Sequence, residues 1–145
     1  MKRGNKTGQM QISFGMIFSI ILVIVFIAAG FYAIKKFLDL QSTIQVSQFL
    51  QDLQTDVDKA WKSPEISRNV KYVLPKKITE ICFIDDEFEN LQFTANSIVK
   101  GEMIEHLDIA KITEEEDPFC ISNTDGKVQF TIVKDFGEVL VRITK

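Results

Sequence analysis

The sequence has few of the residues from which active sites and metal centres are commonly built. It contains one histidine, His106, and two isolated cysteines, Cys82 and Cys120, a set too small for a zinc site. It also contains no glycine-rich phosphate loop, no internal repeat and no recognisable nucleophile motif. We therefore expect a protein that is not an enzyme and that holds no metal or cofactor.

The net charge of the chain is negative after its N-terminal quarter. Residues 1–36 carry five basic side chains and no acid, whereas the other 12 of the 17 basic residues share the remainder with all 20 acids. An acidic body argues against nucleic acid as a partner, because phosphate contacts need clustered lysine and arginine. Two acidic clusters, Asp85–Glu89 and Glu114–Asp117, lack the spacing of an EF-hand and are predicted to be solvated loops.

One uncharged run dominates the N-terminal part of the chain. Ile12–Ile34 has 23 residues without a charge, which as a helix spans ~34 Å and crosses a hydrocarbon core of ~30 Å. It is longer than the apolar region of a cleaved signal sequence and ends in an aromatic and basic anchor at 31–36. We predict a transmembrane helix over residues 9–36 of a single-pass protein of the cell membrane, with the lipid bilayer as its first partner.

The basic residues around this run set the predicted orientation. Lys2, Arg3 and Lys6 precede it, and Lys35 and Lys36 follow it. The larger basic group favours a cytoplasmic N-terminus and an extracytoplasmic C-terminal domain. Small residues four apart within the span predict close contact with another membrane helix, either a second copy or another membrane protein. These pairs are Gly15 with Ser19 and Ala29 with Ala33.

Residues 37–62 are predicted to continue the same helix outside the membrane. Apolar residues recur mostly every three or four positions, with polar residues on the other face, and Ser63-Pro64 predicts the end. The apolar stripe needs a cover, either the C-terminal domain of the same chain or neighbouring subunits. The stripe comprises Leu40, Ile44, Leu50, Leu53, Val57 and Trp61.

Residues 68–145 are predicted to form a small, antiparallel, β-rich head, which makes the fold class α+β. The last three predicted strands are expected to form a meander, with Asn123–Gly126 as one tight turn. Residues 97–112 fit either a strand or a short helix. The predicted strands are Val70–Leu74, Glu80–Ile84, Leu91–Ala95, Phe119–Ser122, Lys127–Val133 and Glu138–Thr144.

Cys82 and Cys120 each lie in the middle of a predicted strand. In an extracytoplasmic domain a disulfide between adjacent strands is expected, and it would stabilise the head by ~3 kcal/mol. Two buried free thiols are the alternative that the sequence leaves open.

The N-terminal pattern resembles that of archaeal type IV pilins, whose precursors carry a class III signal peptide. The resemblance rests on the basic leader of residues 1–8, the Gly8–Gln9 junction and the long helix that begins apolar and becomes amphipathic. It implies cleavage after Gly8, with Gln9 as the first mature residue. Thr7 and Ser13 depart from residues common in such proteins. The chain also resembles small single-span archaeal membrane proteins to which no function is attached.

Two functions are consistent with this sequence. The resemblance implies a structural or assembly role as a pilin-like subunit. The alternative is a membrane-anchored binding or accessory module of a larger complex, with an extracytoplasmic head of unknown ligand. The two differ in whether the leader is removed and whether copies polymerise.

Overall fold

The structure, a computed structural model, describes residues 14–95 and 98–145. It contains one long helix, α1 (Phe14–Lys62), followed by a small domain of antiparallel strands, so the α+β prediction is confirmed. Helix α1 ends at Lys62, as Ser63-Pro64 predicted. The chain divides into two compact units, one up to Leu40 and one from Gln41 to Lys145, and each is described by itself.

The first unit is a helix without a core. Every described side chain from Phe14 to Leu40 is exposed, including large ones such as Phe26 and Phe31. This segment of α1 is long and apolar enough to cross a membrane. An uninterrupted helix satisfies its own backbone hydrogen bonds, which a segment in lipid requires.

The second unit contains two antiparallel sheets and the C-terminal half of α1. Sheet 1 has the strand order β1-β6-β7, and sheet 2 has the order β4-β3-β2-β5. The short helix α2 (Ile109–Ile112) lies between β4 and β5 in the chain. The strands are β1 (Ile66–Val73), β2 (Glu80–Phe83), β3 (Leu91–Ala95), β4 (Ile98–Glu102), β5 (Phe119–Ser122), β6 (Lys127–Lys134) and β7 (Arg142–Thr144).

Helix α1 contributes one face to the core of this unit. Phe49, Leu53, Val57 and Ala60 recur every three or four residues, and all are buried, as expected for the inner stripe of an amphipathic helix. The Phe49 ring lies edge-on to Tyr72 of sheet 1, with centroids 5.2 Å apart, and to Phe93 of sheet 2 at 5.8 Å. These four residues are covered by the head of the same chain and join both sheets, whereas Leu40, Ile44 and Trp61 of the predicted stripe are exposed.

Strand β6 shows how alternation fixes one face of sheet 1. Val128, Phe130 and Ile132 are buried, as their period of two predicts. The next residue on that face, Lys134, is buried as well, and its Nζ donates to the carbonyl oxygens of Trp61 at 2.6 Å and Ser63 at 2.9 Å. The lysine thus supplies partners to carbonyls at the end of α1.

The predicted meander is correct for β6 and β7, which pair as antiparallel neighbours, and wrong for β5. Asp125 and Gly126 adopt φ values of 52° and 79°, and Thr124 and Lys127 exchange two backbone hydrogen bonds, so the tight turn forms. The strands on either side of it then separate, because β5 pairs with β2 whereas β6 pairs with β1 and β7. Turn chemistry is local and therefore readable from sequence, but the partner of each strand is chosen by long-range packing.

Three strand predictions need smaller corrections. Strand β1 begins at Ile66 rather than Val70. The residues at 67–69 are polar and exposed, so they carry no apolar alternation from which a strand could be predicted. Strand β7 begins at Arg142 rather than Glu138, since Glu138 lies in a loop where its Oε2 accepts from the Asp135 amide. The sequence left segment 97–112 open between a strand and a short helix, and the segment contains one of each, β4 and α2.

Candidate functional site

The small residues that were predicted to mediate helix contacts lie on the exposed helix of the first unit. Ser19 Oγ donates to the Gly15 carbonyl oxygen at 2.9 Å, so the hydroxyl is satisfied without a partner helix. Ala29 and Ala33 are exposed, and a Cβ placed at Gly30 would meet no atom within 4 Å. The monomer therefore leaves this surface available to lipid or to another helix. The predicted junction of Gly8 and Gln9 lies outside the described residues.

The two cysteines face each other across neighbouring strands. Cys82 of β2 and Cys120 of β5 are paired in the sheet register, with Cα atoms 4.0 Å apart, and a disulfide joins their sulfur atoms. Glu80 lies close to both sulfurs. A metal would need thiolates, however, and both sulfurs are already bonded to each other.

His106 takes part in a side-chain cluster that the sequence did not reveal. Its ring stacks on Trp61 of α1, with centroids 3.9 Å apart and planes 12° apart, and its Nδ1 lies 3.0 Å from Asp58 Oδ1. The residue has a φ of 66°, which is uncommon outside glycine. Only the tertiary fold brings His106 to residues 45 and more positions earlier in the chain.

Gln54 completes this cluster one helical turn from Asp58. Its Nε2 donates to Asp58 Oδ1 at 2.8 Å, and its Oε1 accepts from the Glu105 amide at 2.9 Å. The Gln54 hydrogen bond is the main reason that the pKa of Asp58 lies below its usual value; burial opposes this effect, and the contact with His106 adds to it. These contacts fasten segment 105–106 to α1.

The two acidic clusters converge at one end of sheet 2. Loop 85–89 follows the end of β2, segment 114–117 precedes β5, and Phe83 is paired with Phe119 across these strands. Phe88 stands in the first loop with 83 % of its surface exposed. Asp86 Oδ1 accepts from the Phe88 amide at 2.9 Å. This end of the head therefore presents an aromatic side chain among carboxylates. We call residues 85–89 the Phe88 loop.

A hollow of about 440 Å³ lies where β1 and β6 meet the turn after β5. Two lysines from different strands, Lys71 and Lys127, line it. Sequence reasoning missed this site because the two lysines are 56 positions apart. We call it the lysine hollow, and its lining residues are Lys71, Ser122, Thr124, Asp125, Lys127 and Gln129.

A second cavity, of about 430 Å³, borders β7 and segment 114–116, but its basic groups already have partners. Lys111 Nζ lies 2.7 Å from Glu138, and this hydrogen bond lowers the pKa of Glu138. Arg142 pairs with Asp135, and Lys145 pairs with Glu116. By contrast, no ion pair in the described part of the chain includes Lys71 or Lys127.

Comparisons of this chain with protein-family models, with curated proteins and with solved structures found no match.

Proposed function

We propose that the protein is a structural subunit of a membrane-associated assembly, similar in role to an archaeal type IV pilin. Its N-terminus lies in the cytoplasm and its head lies outside the cell. A membrane peptidase removes residues 1–8, and the mature chain assembles through the apolar part of α1. The proposal has no catalytic step.

The observation that carries this proposal is the exposed apolar surface of α1 up to Leu40. None of its described side chains is buried, while the stripe from Phe49 to Ala60 is already covered by the head of the same chain. The apolar surface of α1 that remains for contacts between copies therefore lies mainly in the first unit, and it does not continue as an open stripe to Trp61. In a bilayer, such helices associate by close packing at small residues.

Two further features support the proposed placement of the head. The Cys82–Cys120 disulfide is chemistry of oxidising compartments. The basic residues are more numerous before the span than after it, which favours a cytoplasmic N-terminus.

The test is to purify the protein from membranes of its native host and to measure its intact mass and N-terminal sequence. We expect a mature chain that begins at Gln9, and filaments or oligomers in electron micrographs. The variant Gly8→Leu should retain residues 1–8 and fail to assemble, whereas Gly4→Leu, a matched change within the leader, should be processed normally. A wild-type chain that still carries Lys2 would refute processing.

The second candidate is a membrane-anchored binding module, and the observation that favours it is the lysine hollow, whose two lysines take part in no ion pair among the described residues. In this case the leader persists, the protein is monomeric in the bilayer, and the head captures a separate anionic partner. The N-terminal measurement above distinguishes the two candidates.

A further inference from the structure

We propose that the lysine hollow of one copy receives the Phe88 loop of a second copy, so that heads join end to end. This inference rests on the assembly role proposed above and adds a contact between heads to the contact between helices. Both surfaces belong to the second unit of the chain.

The Phe88 loop has the form of an inserting element. The Phe88 side chain is 83 % exposed, and a solitary aromatic ring of this kind commonly anchors a protein interface. Asp85, Asp86 and Glu87 flank it and are exposed. Among the described residues none of these three carboxylates takes part in an ion pair. The loop therefore offers an apolar group surrounded by negative charge.

The lysine hollow offers the complementary surface. It is an open depression of about 440 Å³ whose six lining residues are all exposed, so a loop of another molecule can reach it. The stems of Lys71 and Lys127 can contact an aromatic ring while their ammonium groups meet carboxylates. Val73, which is paired with Lys127 in the sheet register and is 60 % exposed, adds apolar surface nearby. Asp125 is the single acid of the lining.

The occupant has to come from another molecule, because the loop and the hollow lie at opposite ends of sheet 2. Ser122, which lines the hollow, is paired with Glu80 at the start of β2, whereas the Phe88 loop follows Phe83 at its end. A chain cannot place this loop in its own hollow without unfolding the strand between them.

A second copy is the occupant that this charge pattern favours. Copies held in one membrane are at high local concentration, and each presents an acidic end and a basic hollow that match by charge. Because the contact joins two different surfaces, a row of copies always has an unoccupied lysine hollow at one end and an unoccupied Phe88 loop at the other. Heterologous contacts of this type extend into rings or filaments.

The experiment places the photo-crosslinker benzoylphenylalanine at position 88 of the full chain in its native membranes. We expect a crosslinked dimer on irradiation, with the junction mapped by mass spectrometry to a peptide that contains Lys71 or Lys127. The matched control carries the crosslinker at Phe136, which is 82 % exposed on another loop beside Asp135. It should give at least about tenfold less dimer, since the acids beside it, Asp135 and Glu138, are already paired with Arg142 and Lys111.

Charge exchange tests the same contact without relying on one crosslinker. Replacing Lys71 and Lys127 by glutamate should reduce the crosslink from position 88 by about tenfold or more. Mixing this variant with copies whose loop carries Asp85→Lys, Asp86→Lys and Glu87→Lys, together with the crosslinker at 88, should restore it. All six positions are exposed, and unchanged circular dichroism would verify folding.

A crosslink that maps to lipid, to a different protein or to another part of the head would overturn this inference, as would a yield that the glutamate changes leave unaltered. Oligomers that persist through the helix while position 88 gives no dimer would refute the contact between heads and leave the proposed assembly role intact. A retained leader with no oligomers would refute the assembly role itself.

Discussion

The two parts of α1 have similar apolar side chains and opposite surroundings. Phe26 and Phe31 in the first unit are 69 % and 71 % exposed, whereas Phe49 in the second unit is 2 % exposed. The first part is apolar on every face up to Ile34, so no single partner surface of the same chain could cover it. The second part has one apolar face and one polar face. Only the apolar face has to be buried, and it packs against the head.

This difference predicts that the two parts of α1 are stabilised by different environments. The second part gains from removing apolar surface from water. The side chains of the first part are exposed, and the favourable environment for such an apolar helix is a bilayer. Substitutions in the first part should consequently affect membrane binding, and substitutions in the second part should affect the stability of the head.

The largest effect is expected from placing charge in the middle of the first part. The double substitution Ile24→Lys and Val25→Lys should remove the protein from the membrane fraction, because each lysine costs about 3 kcal/mol at the centre of a bilayer. Carbonate extraction and flotation would measure the membrane-bound share. The control Phe136→Lys, on an exposed loop of the head, should stay with the membrane. Retention of the double variant would contradict a spanning helix.

A smaller but still large effect is expected from the stripe in the second part. Leu53 is 0 % exposed, and Leu53→Ala should lower the free energy of unfolding of the head by about 3–4 kcal/mol through loss of contacts and a residual cavity. Leu40→Ala is the matched control on the same helix. Leu40 is 58 % exposed, so the change should alter the free energy of unfolding by less than about 0.5 kcal/mol. Denaturant titration in detergent would measure both. Equal losses would contradict the burial difference between the two parts.

The disulfide should contribute next in size, and only to the head. Cys82 and Cys120 are 38 positions apart, and removing a crosslink that closes a loop of that length should cost at most about 4 kcal/mol in the loop-entropy model. The double variant Cys82→Ser and Cys120→Ser should melt at a lower temperature and lose its response to reductant. Its membrane-bound share should equal that of the wild type. A melting temperature that does not change would show that the bond adds no stability.

The smallest effect concerns Asp58 and depends on pH. Its pKa is lowered in the folded state, mainly by the hydrogen bond from Gln54, so its charged form stabilises the fold above the unfolded pKa, near ~4. This contribution is lost as the pH falls through the folded pKa. Asp58→Asn should therefore lower the free energy of unfolding at pH 7 by about 1 kcal/mol or less, and with it the melting temperature, because the side chain is partly exposed.

The difference between Asp58→Asn and the wild type should shrink as the pH is lowered below ~4. Thermal melts of both proteins between pH 2 and pH 7, about the range that spans the titration of an aspartate, would measure it. Asp39→Asn, in the first unit, is the control and should show no such pH-dependent difference in the melting of the head. A gap that widens in acid would contradict the assigned direction of the pKa shift.

Much of the local structure could be predicted from the sequence because it depends on short-range patterns. The end of α1 at Lys62 follows from Pro64, the tight turn at Asp125-Gly126 follows from residues that accept positive φ, and the bounds of β3 and β5 agree with the prediction. Strand β1 was found only in part, because its polar first half carries no periodic apolar signal.

The candidate sites were predictable only in pieces. The acidic clusters could be found in the sequence as runs of acidic residues. That they lie at the same end of sheet 2 follows only from the pairing of β2 with β5. The lysine hollow and the stacking of His106 on Trp61 join residues far apart in the chain, and no local pattern indicates such a contact.

The sequence by itself determined that this chain has a membrane-length helix, an amphipathic continuation and a β-rich head, because hydrophobic length and period are properties of neighbouring residues. The tertiary structure alone decided that two sheets form instead of a meander, that the Phe49–Ala60 stripe joins both of them, and that acidic and basic surfaces lie at opposite ends of sheet 2. These outcomes depend on which strands pair, and that choice is made by the packing of the whole core.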